Sequence, residues 1–261
     1  MKRSLFCLAC LSALAIPSFP AQADCRAQSA KQTVALIELY TSEGCSSCPP
    51  ADRWLSGIDL APTSAIELAL HVDYWDRLGW KDRFATAGHT ARQYEQMRRQ
   101  NSEYVYTPQV LLQGRDFRQW GVRGEPAGAV AAINARPARA LIELVAIADG
   151  DSARVDVRFS IADARDRARA RPVVALVQDR LSNAVSAGEN AGRRLAHDHV
   201  VRAWHASPAL DAAGELRERV TFALPADSGP LSVVAFVEDA GSGDVLQALA
   251  LPFASAACSA R

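Results

Sequence analysis

Two cysteines separated by two residues are the part of this sequence best suited to do chemistry. The stretch TSEGCSSCPP, residues 41–50, contains Cys45 and Cys48. A pair with this spacing can act as a redox couple, contribute to a metal site, or form a disulfide that only fastens the local backbone. The rest of the sequence has to discriminate among these three interpretations.

The redox interpretation depends on the elements that flank the two cysteines. Residues 34–40, VALIELY, form a short aliphatic run that predicts a buried strand, and residues 50–58 place apolar side chains at helical spacing. The cysteines therefore lie where a strand gives way to a helix. The N–H groups and the dipole at a helix start stabilise a thiolate, so Cys45 is the predicted nucleophile and Cys48 the predicted resolving thiol.

Metal-dependent and other enzyme chemistry has little support. Structural zinc takes four ligands, and no second C-x-x-C or C-x-x-H pair follows the first 23 residues. Soft Cu(I) sites favour methionine, and Met97 is the only methionine beyond residue 23. No Ser-His-Asp order, phosphate-binding glycine loop or paired carboxylates stand out. We therefore predict no metal and no other cofactor, and a purely structural disulfide stays open.

The start of the chain predicts export. Lys2 and Arg3 precede an apolar run over residues 5–16, and Ala-Gln-Ala follows at residues 21–23, which is the pattern of a secretory signal. The run of about 12 residues is shorter than the roughly 20 that span a bilayer. We expect a periplasmic or secreted protein without a membrane anchor. The chain has 29 basic and 29 acidic residues, so no basic excess indicates nucleic acid as a partner.

Cysteine usage fits an oxidising compartment. Beyond the predicted signal, four cysteines remain, and Cys25 and Cys258 lie close to the two ends of the chain. A disulfide between Cys25 and Cys258 would hold the two termini together. That pairing would leave Cys45 to pair with Cys48. The alternative is that Cys25 and Cys258 are free thiols.

The hydrophobic pattern changes near residue 137. Before it, strand and helix patterns alternate, which predicts an α/β layer. After it, about seven short apolar runs separated by turn residues predict a β-sandwich. The run RDRARARP at residues 165–172 is interpreted as a solvated loop. The predicted organisation is a signal peptide, a thioredoxin-like domain and a β-sandwich-like domain over residues 1–23, 24–137 and 138–261.

The first half resembles the thioredoxin fold. It shows strand, C-x-x-C, helix, strand and helix, and then YTPQV at residues 106–110 before a strand that ends at Gly114. The resemblance implies that Pro108 is a cis-proline and that the backbone of Thr107 pairs with a bound substrate chain. It also implies that Glu38 is a buried acid beneath the cysteines that shuttles the proton of Cys48. The alternative is an edge-strand glutamate that faces water.

Four longer stretches narrow the resemblance. The chain contains ELYTSEGCSSCPPAD, HVDYWDRLGWKDRF, YTPQVLLQG and GENAGRRLAHDHVVR. Together they resemble a secreted thioredoxin-like family catalogued as domain of unknown function 1223, over nearly the whole chain beyond the signal. The resemblance implies an α/β thioredoxin-like domain followed by an all-β sandwich-like domain, and the family label implies no particular reaction. Pro49 and Pro50 depart from the thioredoxin pattern and shift the expected helix start by about one turn.

Two further groups of residues have alternative interpretations. Tyr74, Trp75 and Trp80 could line a groove beside Cys45 that binds a peptide or a small thiol. Alternatively, the two tryptophans fill the seam between the domains. The stretch GENAG at residues 188–192 is either a tight turn or a loop whose polar side chains reach the redox face.

The sequence therefore predicts a thiol–disulfide oxidoreductase of the periplasm or the extracellular space. Its partner would be a protein or small-molecule thiol or disulfide, and the oligomeric state is not predicted. The alternative is a binding module in which Cys45 and Cys48 form a permanent structural disulfide. The two hypotheses differ in an observable feature, because a catalytic pair needs an exposed Cys45.

Overall fold

The structure is a computed structural model that describes residues 25–122 and 126–253. The predicted signal over residues 1–23 and the cysteine at position 258 lie outside the described residues. The signal and the disulfide between Cys25 and Cys258 therefore stay predictions. In the described part of the chain, no helix is both long and apolar enough to cross a membrane.

Strand is the main secondary structure, with 42% of the described residues in strands and 18% in helices. The strands in chain order are β1 Arg26–Gln28, β2 Ala35–Thr41, β3 Ala65–His71, β4 Gln109–Leu112, β5 Arg115–Asp116, β6 Leu141–Asp149, β7 Ser152–Ser160, β8 Ala170–Gln178, β9 Leu181–Ala184, β10 Arg194–His197, β11 Val200–Ala206, β12 Glu215–Ala223, β13 Leu231–Asp239 and β14 Val245–Phe253. The α-helices are α1 Pro49–Ser56, α2 Ala87–Arg99, α3 Ala127–Asn134 and α4 Ala164–Arg169, and a 3-10 helix covers Asp73–Leu78.

The strands form one large mixed sheet and two smaller sheets. The large sheet has eight strands in the order β14-β13-β8-β11-β3-β2-β4-β5. Strand β11 lies within the sheet and connects its two parts, because it pairs antiparallel with β8 on one side and parallel with β3 on the other. A four-stranded sheet has the order β1-β6-β7-β12, and β9 and β10 form a separate hairpin.

The predicted fold class, an α/β thioredoxin-like domain followed by an all-β sandwich-like domain, is wrong. Strands β2, β3, β4 and β5 form no separate α/β unit but are one end of the eight-stranded sheet. Strand β1 from the first part of the chain pairs with β6 of the second part. Hydrophobic patterns locate strands but do not identify their partners, and the prediction assumed that each half of the chain pairs with itself. The boundary after residue 137 stays a prediction.

Three hydrophobic clusters cover the two faces of the large sheet. One face carries Leu36, Tyr40 and Leu68 together with Phe236 of β13, and α2 lies over this face through Arg92. The opposite face of the large sheet is covered by two different groups of elements. Helix α1, helix α3 and the β9–β10 hairpin cover the end that contains β2, and the four-stranded sheet covers the end that contains β8 and β13.

Strand β2 positions the cysteine motif, and it is buried over its whole length. Ile37 and Leu39 pack with Ala51 of α1 on one face, and the alternate residues face α2. A strand covered on both faces appears in sequence as a continuous apolar run. This explains why VALIELY lacks polar alternation apart from its glutamate.

The N-terminus of α2 depends on one side chain. Thr86 has an extended backbone, and its Oγ1 accepts a hydrogen bond of 3.1 Å from the N–H of His89. We expect Thr86→Ala to lower the free energy of unfolding by about 1 kcal/mol, because that N–H loses its side-chain acceptor and keeps only the 3.2 Å bond to the Thr86 carbonyl. Denaturant unfolding measures the change. The exposed Thr63→Ala is the control, and an equal loss in both variants would contradict the capping role.

Candidate functional site

The two cysteines of the motif form a disulfide. Cys45 and Cys48 are joined, with Cα atoms 5.4 Å apart. Both residues have 0% of their surface exposed, whereas Ser46 and Ser47 between them are exposed. Helix α1 begins at Pro49 and Cys48 is its N-cap residue, so the helix starts after the motif. The dipole of α1 therefore acts less on Cys45 than in a motif that lies within the first helical turn.

The proline loop lies at the same end of the sheet. The peptide bond between Thr107 and Pro108 is cis, as the resemblance implied, and the following residue Gln109 pairs with Tyr40 near the end of β2. The Nε1 of Trp75 donates a 2.8 Å hydrogen bond to Oγ1 of Thr107. The site thus contains the proline loop, Trp75 and the motif, and the contact of Thr107 with a substrate stays a prediction.

Glu43 organises the interior beneath the disulfide. It is fully buried two residues before Cys45. Its Oε2 accepts hydrogen bonds of 2.8 Å from Trp80 Nε1 and 2.9 Å from Asn183 Nδ2, and its Oε1 lies 3.1 Å from Nε2 of His197. Asn183 and His197 belong to the β9–β10 hairpin. A single carboxylate therefore ties the motif to a hairpin far along the chain.

Five ionisable side chains are buried together in this region. The pair of Glu43 and His197 adjoins a second pair, in which His71 Nδ1 lies 2.6 Å from Oδ2 of Asp82. The two imidazole rings have centroids 4.9 Å apart. Asp52 of α1 is the fifth member, and its Oδ1 accepts a 2.7 Å hydrogen bond from the Thr41 hydroxyl. We call Glu43, Asp52, His71, Asp82 and His197 the buried ionisable cluster.

The buried surroundings shift the pKa values of Asp52, His71 and Asp82. Burial raises the pKa of Asp52. Burial also opposes a charge on His71, but the charge and hydrogen bond of Asp82 outweigh it and raise the pKa of His71. Burial acts against the charge of Asp82 as well, and His71 together with hydrogen bonds from two backbone N–H groups lowers the pKa of Asp82 to about 2. His71 and Asp82 thus stabilise each other's charged forms in the interior.

The pair has a defined pH window. The raised pKa of His71 stabilises the fold below the unfolded value of about 6.5, and this stability is lost as the pH rises through the folded pKa. The lowered pKa of Asp82 stabilises the fold above about 3.9, and that stability is lost as the pH falls towards 2. We expect Asp82→Asn to lose most stability between about pH 4 and 6.5. Denaturant unfolding at pH 3, 5.5 and 9 tests this, and a loss independent of pH would contradict it.

A loop from the second half of the chain rests on the motif. The loop joins β9 to β10, and its residue Asn190 is buried. Asn190 Nδ2 donates hydrogen bonds of 2.9 Å to the Glu43 carbonyl and 3.0 Å to the Cys45 carbonyl. Oε2 of Glu189 accepts a 2.9 Å hydrogen bond from the N–H of Ser46. The second interpretation of GENAG, a loop that reaches the redox face, describes these contacts.

Glu38 does not join the cysteines. It lies on the face of β2 that carries α2, and Nε of Arg92 is 2.6 Å from its Oε1. Arg92 also pairs with Glu238 at 2.9 Å. The glutamate is buried, so it is not a water-facing edge residue. Its contacts are those of a buried ion pair, and we do not assign it the proton of Cys48.

The three aromatic residues after β3 have individual partners. Trp75 bonds to Thr107 and Trp80 bonds to Glu43, and the hydroxyl of Tyr74 donates a 3.2 Å hydrogen bond to Gln93. Trp80 thus lies where the motif meets the hairpin. A role of Tyr74, Trp75 and Trp80 in binding a substrate stays a prediction.

Sequence analysis did not identify several residues of this site. Glu43 lies inside the motif stretch, and a carboxyl group directly before the cysteines was the only local signal. Asn183 and His197 had none, because their bonds to Glu43 span 140 and 154 residues. Nothing in the sequence distinguishes Asp52 and Asp82 from ordinary acidic residues of a helix and a loop.

Fold and site together define a β-rich protein with a buried C-x-x-C disulfide at a strand–helix junction. The chain belongs to the family described as Protein of unknown function (DUF1223), whose profile matches residues 36–238. A crystal structure of a protein from Agrobacterium tumefaciens is similar over 85% of this chain and 96% of that chain, with 28% sequence identity and a TM-score of 0.58.

A second solved structure supports the fold alone. HBP35 of Porphyromonas gingivalis is 14% identical, with a TM-score of 0.60, and the likeness covers 85% of this chain and 76% of that chain. No curated protein matches the chain significantly. The comparisons therefore establish the family and support the architecture, and they assign no reaction.

Proposed function

We propose that this chain is a thiol–disulfide exchange protein of the periplasm or the extracellular space, and that Cys45 and Cys48 are its redox pair. The observation that carries the proposal is the buried ionisable cluster next to the disulfide. Burying charged groups is costly, and perturbed ionisable groups gather at functional sites. A disulfide that only fastens a turn does not need such a cluster, whereas reduction of a buried disulfide requires protons.

Thiol–disulfide exchange with a dithiol partner takes two steps. A partner thiolate attacks Sγ of Cys45, and a new S–S bond forms between them. The bond between Cys45 and Cys48 breaks, and its electron pair leaves on Sγ of Cys48, which takes up a proton. A second thiolate of the partner then attacks the partner's sulfur in the mixed disulfide, and Cys45 leaves and is protonated. Two electrons and two protons have moved from a dithiol to the cysteine pair.

Access to the disulfide requires movement of the loop that joins β9 to β10. Both cysteines are buried, so the exposed Cys45 that a catalytic pair needs is absent in this conformation. Asn190 and Glu189 bind the backbone on both sides of Cys45. In this proposal a partner displaces that loop, docks beside Thr107 and Pro108, and then reaches Sγ of Cys45.

The burial of both cysteines favours a second candidate function. A fully covered disulfide is protected from thiolate attack, which is typical of a structural bridge. In that case the chain is a binding protein in which Cys45 and Cys48 hold the turn between β2 and α1. The two candidates predict different reduction potentials, which makes them separable.

The test is a redox titration of the folded protein. Thiols are trapped by alkylation across glutathione and dithiothreitol ratios, and peptide mass spectrometry follows the peptide that holds Cys45 and Cys48. A midpoint between about −120 and −270 mV supports exchange, and a midpoint below about −300 mV supports the structural bridge. Cys45→Ser is the matched variant, and we expect it to abolish turnover of a dithiol substrate. Turnover at the wild-type rate in that variant would overturn the assignment of Cys45.

A further inference from the structure

Glu189 occupies a hydrogen-bond donor directly beside Cys45. The N–H of Ser46 belongs to the peptide unit directly after Cys45, and it donates to Oε2 of Glu189 at 2.9 Å. N–H groups at the start of a helix are the usual partners of a reactive thiolate. Here the first N–H after Cys45, which precedes the helix, is bound to a carboxylate that comes from 143 residues further along the chain.

Few other donors are available at this helix start. Pro49 and Pro50 have no N–H. The N–H of Cys48 donates to the Cys45 carbonyl at 3.2 Å. Ser47 is the residue that contacts the sulfur, with its Oγ 3.3 Å from Sγ of Cys45. Glu189 therefore occupies one of the donors that could stabilise a thiolate at Cys45, and the N–H and hydroxyl of Ser47 are others.

Glu189 also adds negative charge next to the motif. Hydrogen bonds from the Ser46 side chain and backbone lower the pKa of Glu189, so it is ionised at neutral pH. The other ionisable groups around the motif are the five members of the buried ionisable cluster beneath it and Arg193 on the same loop. Arg193 donates through Nη1 to Oδ1 of Asn190 at 3.0 Å, so its charge is directed at the amide of the loop.

We propose that Glu189 is a positioning residue that suppresses the reactivity of Cys45, because it holds the Ser46 N–H and places a carboxylate beside the developing thiolate. This inference deepens the proposed function. It implies that the reduced protein is a poor nucleophile while the loop is in place. It also implies that a partner which draws Glu189 away increases the reactivity of Cys45 at the moment of docking.

The experiment measures the acidity of Cys45 in Glu189→Ala and Glu189→Gln. The proteins are reduced with a phosphine, and the alkylation rate of Cys45 is recorded against pH. Alanine removes both acceptor and charge, whereas glutamine removes the charge and keeps an acceptor. We expect tenfold more thiolate at neutral pH in the alanine variant. The alkylation rate should then rise about threefold, because a more acidic thiol is a weaker nucleophile.

The redox potential provides a second measurement. Stabilising the thiolate favours the reduced pair, and a tenfold change in the exchange equilibrium corresponds to about 30 mV for this two-electron couple. We therefore expect the midpoint of Glu189→Ala to move by up to that amount towards oxidising values. Asp151→Asn removes one exposed negative charge at the distant β6–β7 turn and is the matched control.

The outcomes separate this inference from the proposed function. The role of Glu189 is supported if the alkylation rate decreases from Glu189→Ala to Glu189→Gln to wild type. The control Asp151→Asn should then keep the wild-type rate. Equal rates in all four proteins overturn it, as does an equal increase in the control. Thiol acidity is measured after chemical reduction, so it is obtained even if glutathione never reduces the disulfide. A disulfide that glutathione never reduces would overturn the proposed exchange function. The alkylation rates would still show whether Glu189 suppresses the reactivity of Cys45.

Discussion

Arg92→Ala is expected to lower the free energy of unfolding by about 3–5 kcal/mol. Arg92 is buried between Glu38 of β2 and Glu238 of β13, at 2.6 Å and 2.9 Å. Its guanidinium group also lies 4.7 Å from the ring centroid of Trp204. Removing the cation leaves two buried carboxylates, and Arg99 is bonded to only one of them. The cost comes mainly from burying the uncompensated charge at Glu38.

Denaturant unfolding at several pH values measures this effect. Burial opposes the charge of Glu238, and Arg92 lowers its pKa. This stabilising contribution is present above the unfolded pKa and is lost as the pH falls. Without Arg92 the Glu238 carboxyl takes up a proton more readily, so the difference from wild type should shrink in acid. Arg219→Ala is the control, because Arg219 is 63% exposed in its pair with Asp156. A loss below about 1 kcal/mol, typical of surface pairs, would contradict the prediction.

Glu43→Ala is expected to cost about 3 kcal/mol and to loosen the cover over the disulfide. The substitution leaves the Trp80, Asn183 and His197 nitrogens without their acceptor. An unsatisfied buried donor costs about 1–3 kcal/mol, and Trp80 and Asn183 are only half-buried, which lowers their share. The hairpin of β9 and β10 loses its side-chain anchor on the motif. We therefore also expect dithiothreitol to reduce the disulfide faster in this variant.

Two measurements check this prediction. Denaturant unfolding reports the stability, and alkylation at timed intervals reports the reduction rate in native buffer. Asp156→Ala, which removes a carboxylate that is 41% exposed, is the control and should change both quantities little. If Glu43→Ala is destabilised while the reduction rate equals that of wild type, Glu43 does not hold the cover.

Local sequence patterns were sufficient to find most of the elements. The continuous run VALIELY corresponds to β2, and the alternation in ARVDVRFS corresponds to β7, where Val155, Val157 and Phe159 are buried. The prolines after the motif correctly indicated a helix that begins beyond Cys48. Helix α4 was missed and lies in the run interpreted as a solvated loop. It has six residues, and Asp163 caps it through two backbone N–H groups.

Partners across the chain could not be predicted in the same way. The apolar pattern of β11 is equally suited to a sandwich strand and to a strand beside β3, because pattern defines the buried face and not the neighbour. Glu38 illustrates the same limit within the site. Its burial was one of the two expected states, but no local pattern identified Arg92 of α2 as its partner.

The parallel pairing of β3 with β11 has a consequence for synthesis of the chain. About 130 residues separate these strands, and a ribosome needs roughly 7–27 s to make them at about 5–20 residues per second. During that time β3 has an unpaired apolar edge, which is a template for unwanted association. The motif and the proline loop are made within the same early period. Completion of the large sheet must wait for the last third of the chain.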